Sequence, residues 1–297
     1  MIYRFLLLIF SILSVVSANC NILTLSGGGS FGAVEVGILD NLISTKQIPD
    51  KFDVIAGIST GGINAAVLSQ FNDISSALPQ IYNLFSNLKT IDVYRRNYIG
   101  IFTRWSIYDN SPLEQTLRNI ITQLKQIENP PITIIGASNI YTQKLDIFKY
   151  NDLSLDDKIN VLMSTTAIPI IFPPRKYNNG LYIDGGVISN EIIAQTIGQL
   201  ECPFYNITFI NANPLSQVNN KITDLTSYLS SIVRIILSTF NNQLSQVTSC
   251  SYPKGVINAC FPTSPDLGHY DSLDFNNEAA LYQLGKESNK CVQYQLC

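Results

Sequence analysis

Short apolar runs alternate along the chain with segments whose apolar residues recur at helical spacing. The first run covers residues 21–25, and helical spacing follows over residues 31–43. A second run covers residues 52–56 and ends at Gly57, and helical spacing then continues over residues 61–68. This alternation predicts an α/β fold in which a largely parallel sheet is covered by helices on both faces.

The rest of the chain carries further strand and helix signals. Ser111 as the N-cap residue and Pro112 as the first helical residue predict a helix that runs to about Leu124. A long helix is predicted over residues 222–240. No internal repeat or linker divides the chain, so we expect residues 19–297 to form one domain. Strands are also predicted at residues 132–137, 145–150, 181–183 and 204–211.

Residues 1–18 have the three parts of a secretory signal peptide. Arg4 supplies the positive charge, an apolar run covers residues 5–16, and a small-residue cleavage site ends at Ala18. The run is too short for a membrane span, which needs about 20 apolar residues, although a retained signal anchor is the alternative. We therefore expect a protein that is secreted or enters the lumen of the secretory pathway.

The cysteines fit an exported protein better than a metal site. An even number of cysteines in an exported chain predicts disulfides, and six allow about 15 pairings. No C-x-x-C pair occurs and His269 is the one histidine, so we expect no bound metal. One glycosylation sequon begins at Asn206, within a run that is predicted to be a strand. The six cysteines are Cys20, Cys202, Cys250, Cys260, Cys291 and Cys297.

Composition and charge exclude two classes of protein. With 46% hydrophobic and 14% charged residues, the 297-residue chain has the apolar side chains for a core and is not intrinsically disordered. It carries 19 basic and 22 acidic side chains, a formal net charge of −3. Binding to nucleic acid needs a cationic surface, so we expect no nucleic-acid partner.

The first candidate motif is the glycine-rich turn after the first predicted strand. Residues 27–32 read G-x-G-x-x-G, and such a turn presents backbone N–H groups at a helix N-terminus, where they attract negative charge. A dinucleotide phosphate or a reaction oxyanion could bind there. The dinucleotide alternative needs an acidic residue at the end of the next strand, whereas Asp53 lies at its beginning.

The second and third motifs supply a candidate nucleophile and a candidate base. Residues 57–61 read G-x-S-x-G between a predicted strand and helix, a turn that exposes the hydroxyl of Ser59 beside helix-terminal amides. A serine hydroxyl needs a base within hydrogen-bond reach. Asp184, which follows a predicted strand and precedes two glycines, could take the proton directly. His269 is the alternative base, although a lone histidine is more often structural.

In this order, the three motifs resemble those of the patatin-like phospholipases and lipid acyl hydrolases. The resemblance extends over about residues 21–215 and includes the segment at residues 164–174. The glycine pair after Asp184, followed by Asn190, is similar to the family's aspartate motif.

The resemblance implies a three-layer α/β/α sandwich with a mostly parallel central sheet. It also implies a catalytic dyad of Ser59 and Asp184, with an oxyanion hole formed by the amides of Gly27, Gly28 and Gly29. No metal or cofactor is implied. The implied substrate is a lipid at a membrane or micelle surface.

Some residues depart from the family pattern. Ser26 and Phe31 stand where the family has an aspartate and a basic residue, which weakens the expectation of a phosphate head group. Glu191 and Ile192 replace the usual Asn-Pro.

A non-catalytic storage or lipid-binding protein on the same scaffold is the main alternative function, followed by a Ser-His-Asp esterase and, last, a nucleotide-binding dehydrogenase. Four aromatic residues are predicted to be core rather than an access patch or lid: Tyr94, Tyr98, Phe102 and Trp105.

Overall fold

A computed structural model describes residues 19–97, 104–125, 127–213, 231 and 254–296 of the protein. Several sequence predictions lie outside these residues. They are the signal peptide at residues 1–18, the helix at residues 222–240 except residue 231, the disulfides expected of Cys250 and of Cys297, whose partners the sequence leaves open, and the placement of Tyr98 and Phe102.

Strands and helices alternate along the described chain. The strands are β1 (Cys20–Leu25), β2 (Val54–Ile58), β3 (Arg95–Arg96), β4 (Tyr108–Asp109), β5 (Ile132–Asn139), β6 (Lys144–Lys149), β7 (Arg175–Tyr177), β8 (Gly180–Ile183), β9 (Tyr205–Ile210), β10 (Gly255–Pro262) and β11 (Asn289–Leu296). The α-helices are α1 (Gly32–Ser44), α2 (Thr60–Leu68), α3 (Ile74–Asn87), α4 (Thr90–Val93), α5 (Ser111–Gln123), α6 (Leu155–Thr165), α7 (Ile193–Ile197) and α8 (Glu278–Glu287).

Within the described residues, nine strands form one sheet in the order β11-β10-β9-β1-β2-β5-β8-β7, and β6 pairs with β5. The central strands β10, β9, β1, β2 and β5 are parallel, whereas β6, β7, β8 and β11 pair antiparallel. The predicted α/β fold with a mostly parallel central sheet is confirmed. Its antiparallel strands lie toward the two edges.

Both faces of the sheet are buried, which explains why its strands appear in the sequence as continuous apolar runs. Leu23 and Leu25 of β1 belong to a buried cluster with residues of α1, α2, α3 and α8. Ile22 precedes Leu23, so its side chain points to the opposite face of the sheet, where it lies in a second cluster with Ile193 and Ile197 of α7. The helices therefore form layers on both sides of the sheet.

Two predicted boundaries differ from the structure. Strand β2 extends two residues beyond the predicted end and includes Gly57, where a Cβ would overlap the carbonyl oxygen of Gly61. Helix α5 begins at Ser111 itself, with Asn110 as the N-cap residue. The side chain of Asp109 accepts the Ser111 N–H at 3.1 Å, so the first helical amide is bonded to a residue outside the helix.

Among the described residues, two pairs of cysteines form disulfides. Cys20 of β1 pairs with Cys202, and Cys260 of β10 pairs with Cys291 of the adjacent strand β11. None of the cysteines in the described part of the chain is free. In the same residues, no helix has both the length and the apolar character that a bilayer span requires.

Candidate active site

Ser59 occupies the bend between the end of β2 and the start of α2. Its backbone is left-handed, with φ of 53° and ψ of −127°, which is uncommon for a residue with a side chain. The Ser59 N–H donates to Thr165 Oγ1 at 2.8 Å, and Thr165 Oγ1 donates to the Gly136 carbonyl at 2.6 Å. Thr165 therefore ties the bend to the neighbouring strand β5.

Asp184 lies at the end of β8, and it meets Ser59 across strand β5. Ile58 is in register with Gly136 on one side of β5, and Ile183 is in register with Ser138 on the other. The Ser59 hydroxyl donates to Asp184 Oδ2 at 2.6 Å. Both side chains are about 2% exposed. The sheet order thus brings together two residues that are 125 positions apart.

The carboxylate of Asp184 has an unusual environment. Its Oδ1 accepts the Gly186 N–H at 2.8 Å, and its own N–H donates to the Ala167 carbonyl at 2.9 Å. Burial raises the pKa of Asp184 to about 7, although the hydrogen bonds from Ser59 and Gly186 oppose that shift. A carboxyl group with this pKa can gain and lose a proton near neutral pH.

The three glycines before α1 differ in the availability of their amides. The Gly27 N–H donates to Asn190 Oδ1 at 2.8 Å and is therefore already occupied. The N–H groups of Gly28 and Gly29 have no hydrogen-bond partner within the described residues. Gly29 has a φ of 61° and lines the same cavity as Ser59. The amides of Gly28 and Gly29 are thus the two that remain for an oxyanion.

A buried polar network lies beneath this glycine turn. Ser26 Oγ is 3.1 Å from Glu35 Oε1 and accepts the Ala212 N–H at 2.9 Å. Asn64 Nδ2 donates to Glu35 Oε2 at 3.2 Å and to the Gly32 carbonyl at 3.0 Å. Complete burial raises the pKa of Glu35 well above its usual value, which favours the neutral carboxylic acid.

The sequence analysis did not identify Glu35 or Asn64 as site residues. The available signal was the position of Glu35, which is a lone charge between apolar and glycine residues in residues 32–39. Charged residues are almost never fully buried unless they have hydrogen-bond partners. The network connects α1, α2 and the glycine turn, so it supports the two elements that flank the bend.

An apolar cavity of about 100 Å³ begins beside Ser59. It lies between α2, α3 and α5, and at the Ser59 end its wall includes Gly29, Thr60 and Asn64. The rest of the wall is aliphatic or aromatic apart from two threonines. The lining includes Ile63, Val67, Ile81, Leu84, Phe85, Leu88, Val93, Leu113, Leu117, Ile120, Ile168, Phe172 and Phe275. Such a cavity suits a hydrocarbon chain.

Three other predicted candidates lie elsewhere. His269 is 80% exposed with Asp266 Oδ1 at 3.8 Å, whereas the Ser59 hydroxyl donates to Asp184. Asp53 accepts the Asn21 N–H at the beginning of β2, so it is remote from the carboxyl ends of the strands. Asn206 of β9 is half-buried, and its side-chain nitrogen Nδ2 donates to the side-chain oxygen Oδ1 of Asn21 at 3.0 Å.

The expectation for the aromatic residues is correct for Tyr94 and wrong for Trp105. Tyr94 is buried, and its hydroxyl donates to the Leu273 carbonyl at 2.7 Å. Trp105 is 67% exposed. A left-handed backbone conformation at Trp105, with φ of 58°, accompanies this outward position.

Comparison with known proteins matches the chain to one family model and to several relatives. The model of the patatin-like phospholipase family matches residues 23–197. The protein named "Probable lipid hydrolase 463L" of Invertebrate iridescent virus 6 is 35% identical over 182 residues, which are 57% of this chain and 60% of that protein. Patatin group M-1 of Solanum tuberosum is 30% identical over 217 residues, 62% of this chain and 55% of that protein. A protein of Acanthamoeba polyphaga mimivirus, R571, is 24% identical over 280 residues, 90% of this chain and 92% of that protein.

Proposed function

The chain belongs to the patatin-like phospholipase family, and from that premise we propose that it is a lipid acyl hydrolase in which Ser59 is the nucleophile and Asp184 its base. The observation that carries this proposal is the 2.6 Å hydrogen bond from Ser59 to Asp184 beside an apolar cavity. The similarity to the iridescent virus protein, whose name is "Probable lipid hydrolase 463L", supports the same substrate class.

In the proposed first step, Asp184 accepts the Ser59 proton while Oγ attacks the carbonyl carbon of an acyl ester. The carbonyl oxygen becomes a tetrahedral oxyanion, which accepts hydrogen bonds from the N–H groups of Gly28 and Gly29. The bond to the leaving oxygen then breaks, and Asp184 returns the proton so that the alcohol departs. The product is an acyl ester of Ser59.

In the second step, water replaces the alcohol. Asp184 accepts a proton from this water, whose oxygen attacks the acyl carbon, and a second oxyanion forms at the same amides. Ser59 leaves with the proton held by Asp184, and the fatty acid is released. The dyad ends in its starting state, so the cycle consumes one ester and one water.

The cavity lining favours an acyl chain over a head group. The side chains around the proposed chain pocket carry no charge. Phe31, at the place of the family's basic residue, is fully buried and offers no cationic contact to a phosphate. We infer that recognition rests on the acyl chain, with a phospholipid, a galactolipid or a neutral lipid as the source of the ester.

A non-catalytic lipid-binding protein is the second candidate, because Ser59 and Asp184 are almost completely buried beside an apolar cavity. Labelling with a fluorophosphonate separates the two. An activated Ser59 reacts and the modified peptide maps to residues 57–61, whereas Ser59→Ala and Asp184→Asn do not react. His269→Gln serves as the matched control and keeps full labelling. No labelling of the wild type at Ser59 would favour the binding protein.

Secretion is proposed on separate grounds. Disulfides persist in oxidising compartments, and the pairs Cys20–Cys202 and Cys260–Cys291 are consistent with export. The predicted signal peptide supplies the route. The test is the N-terminus of the protein recovered from the medium of expressing cells, which we expect at Asn19. Recovery only inside the cells, with Met1 retained, would contradict this proposal.

A further inference from the structure

Three chain segments lie side by side at the surface next to the apolar cavity. The Asn97 N–H donates to the Ile107 carbonyl at 3.1 Å, and the Ile107 N–H donates to the Ile170 carbonyl at 2.8 Å. Ser106 and Ile170 also form an isolated parallel bridge. The segments at residues 95–97, 105–109 and 170–171 are therefore adjacent, and each has exposed side chains although Ser106, Tyr108 and Ile171 are buried.

Two large apolar side chains project from this surface. Trp105 is 67% exposed and Ile170 is 60% exposed. Both have a left-handed backbone, with φ of 58° and 70°, which is an outlier for a β-branched residue such as isoleucine. Ile170 lies between Ile168 and Phe172, which both line the cavity. The outer side of the cavity wall thus carries exposed hydrocarbon.

The same surface is positively charged. Asp109 pairs with two guanidinium groups, with Arg95 Nε at 2.8 Å and Arg104 at 3.6 Å, so one carboxylate faces two positive charges. Arg96, the next residue of β3, is also exposed and adds a third cation to the same segment of the chain. The whole chain has a net charge of −3, so this local excess of positive charge stands out from its surroundings. We call Arg95, Arg96, Arg104, Trp105 and Ile170 the Trp105 face.

We propose that the Trp105 face docks the protein on an anionic lipid bilayer. Trp105 and Ile170 enter the boundary between head groups and acyl chains, where an amphipathic indole ring is favoured. The three arginines lie at the level of the anionic head groups, to which basic residues near a membrane are attracted. The inference rests on the proposed hydrolase function in one respect. Docking through this face would hold the wall of the apolar cavity against the bilayer, which contains the lipid ester that the enzyme would cleave.

The intrinsic fluorescence of the protein tests this proposal directly, because Trp105 is the one tryptophan in the chain. Ser59→Ala protein, which leaves the lipid intact, is mixed with vesicles of phosphatidylcholine containing phosphatidylglycerol. We expect a blue shift of the emission and quenching by brominated acyl chains. Unchanged emission under conditions in which the protein sediments with the vesicles would overturn the proposal.

Variants with matched controls separate the apolar and charged contributions, with vesicle sedimentation as the measurement. Trp105→Asn and Ile170→Asn suit the left-handed backbone, since asparagine tolerates positive φ. Each should weaken binding about tenfold or more. Arg96→Gln should weaken it about fivefold on anionic vesicles and little on neutral ones. The controls are Tyr141→Asn (63% exposed in the wild type) and Lys144→Gln, two exposed residues that do not belong to the Trp105 face. Both should bind like the parent protein.

Failure of docking and failure of the proposed function give different results. If a soluble short-chain ester is hydrolysed without a requirement for Trp105, and all three face variants bind vesicles like the parent protein, the proposed hydrolase activity stands and the docking surface is rejected. If vesicle binding depends on Trp105 but the wild-type protein hydrolyses no ester, the docking surface stands and the proposed hydrolase activity is rejected.

Discussion

Asn190 holds the backbone of Gly27 through both the oxygen and the nitrogen of its side-chain amide. Asn190 Oδ1 accepts the Gly27 N–H at 2.8 Å, and Nδ2 donates to the Gly27 carbonyl at 3.3 Å. Asn190 lies six residues after Asp184, in the segment that also carries the proposed base. This contact connects the Asp184 segment to the glycine turn and thereby fixes the proposed oxyanion donors relative to the dyad.

We predict that Asn190→Ala lowers kcat about 10- to 100-fold with little change in KM, because a displaced turn no longer aims the Gly28 and Gly29 amides at the oxyanion. Steady-state hydrolysis of a soluble ester measures this effect. The control is Asn213→Ala, which removes a 3.1 Å contact to the Gly27 carbonyl but leaves the Gly27 N–H bonded. Equal losses in the two variants would contradict a specific role for Asn190.

A second prediction concerns the buried carboxyl group of Glu35. Its pKa is raised above the ordinary value, so the folded state retains a proton that the unfolded chain releases. The stability of the wild type therefore falls as pH rises from the unfolded pKa of about 4.5 toward the raised folded value. Glu35→Gln, which is neutral at every pH, should remove this part of the slope.

Urea unfolding of the wild type and of Glu35→Gln between pH 4 and pH 8 measures that difference. The gap in unfolding free energy should grow with pH in favour of the glutamine variant. Glu35→Ala leaves Asn64 without its carboxylate partner and should be about 1–3 kcal/mol less stable than Glu35→Gln. A gap that does not change with pH would mean that Glu35 is ionised in the folded protein.

A third prediction concerns the length of the acyl chain. Leu84 of α3 lines the cavity, and Leu84→Trp adds volume within it. Hydrolysis of long-chain esters should fall about tenfold or more relative to that of short-chain esters. Asn83→Trp is the control, because this exposed neighbour on the same helix does not line the cavity. An unchanged ratio of long-chain to short-chain rates in Leu84→Trp would place the acyl chain elsewhere.

Local patterns in the sequence predicted the elements that carry the candidate site. Strands β1 and β2 are short apolar runs, each ended by a glycine-containing turn, and both faces of each strand are buried. The bend at Ser59 follows from small residues, since a Cβ at Gly61 would overlap the carbonyl of Ser26. These features depend on neighbouring residues, so a single sequence reveals them.

Features set by distant contacts were not predicted. Helix α3 contains Pro79, a residue that usually ends a helix. Strand β11 has few apolar residues and is defined by its pairing with β10 and by the disulfide between Cys260 and Cys291. The burial of Glu35 depends on its hydrogen bonds with Ser26 and Asn64, residues nine and 29 positions away, which no local pattern encodes.

The exposure of Trp105 shows why an aromatic residue cannot be assigned to the core by type alone. Tyr94 is buried among Tyr108, Phe172 and Phe275. Trp105 lies only three residues before the buried Tyr108, yet its backbone is left-handed and its side chain points toward solvent. The backbone conformation of Trp105, rather than its residue type, thus accounts for its exposure to solvent.

The pH dependence of acylation tests the proposed dyad most directly. A stopped-flow burst of alcohol release, followed from pH 5 to pH 9, measures the rate at which Ser59 is acylated. Since burial raises the pKa of Asp184 to about 7, the wild-type rate should rise through pH 7 and then level off. Asp184→Asn should lose at least about a thousandfold in rate along with the pH step, and His269→Gln should retain both. A wild-type profile with no step near pH 7, or a step that survives in Asp184→Asn and disappears in His269→Gln, would contradict the assignment of Asp184 as the base.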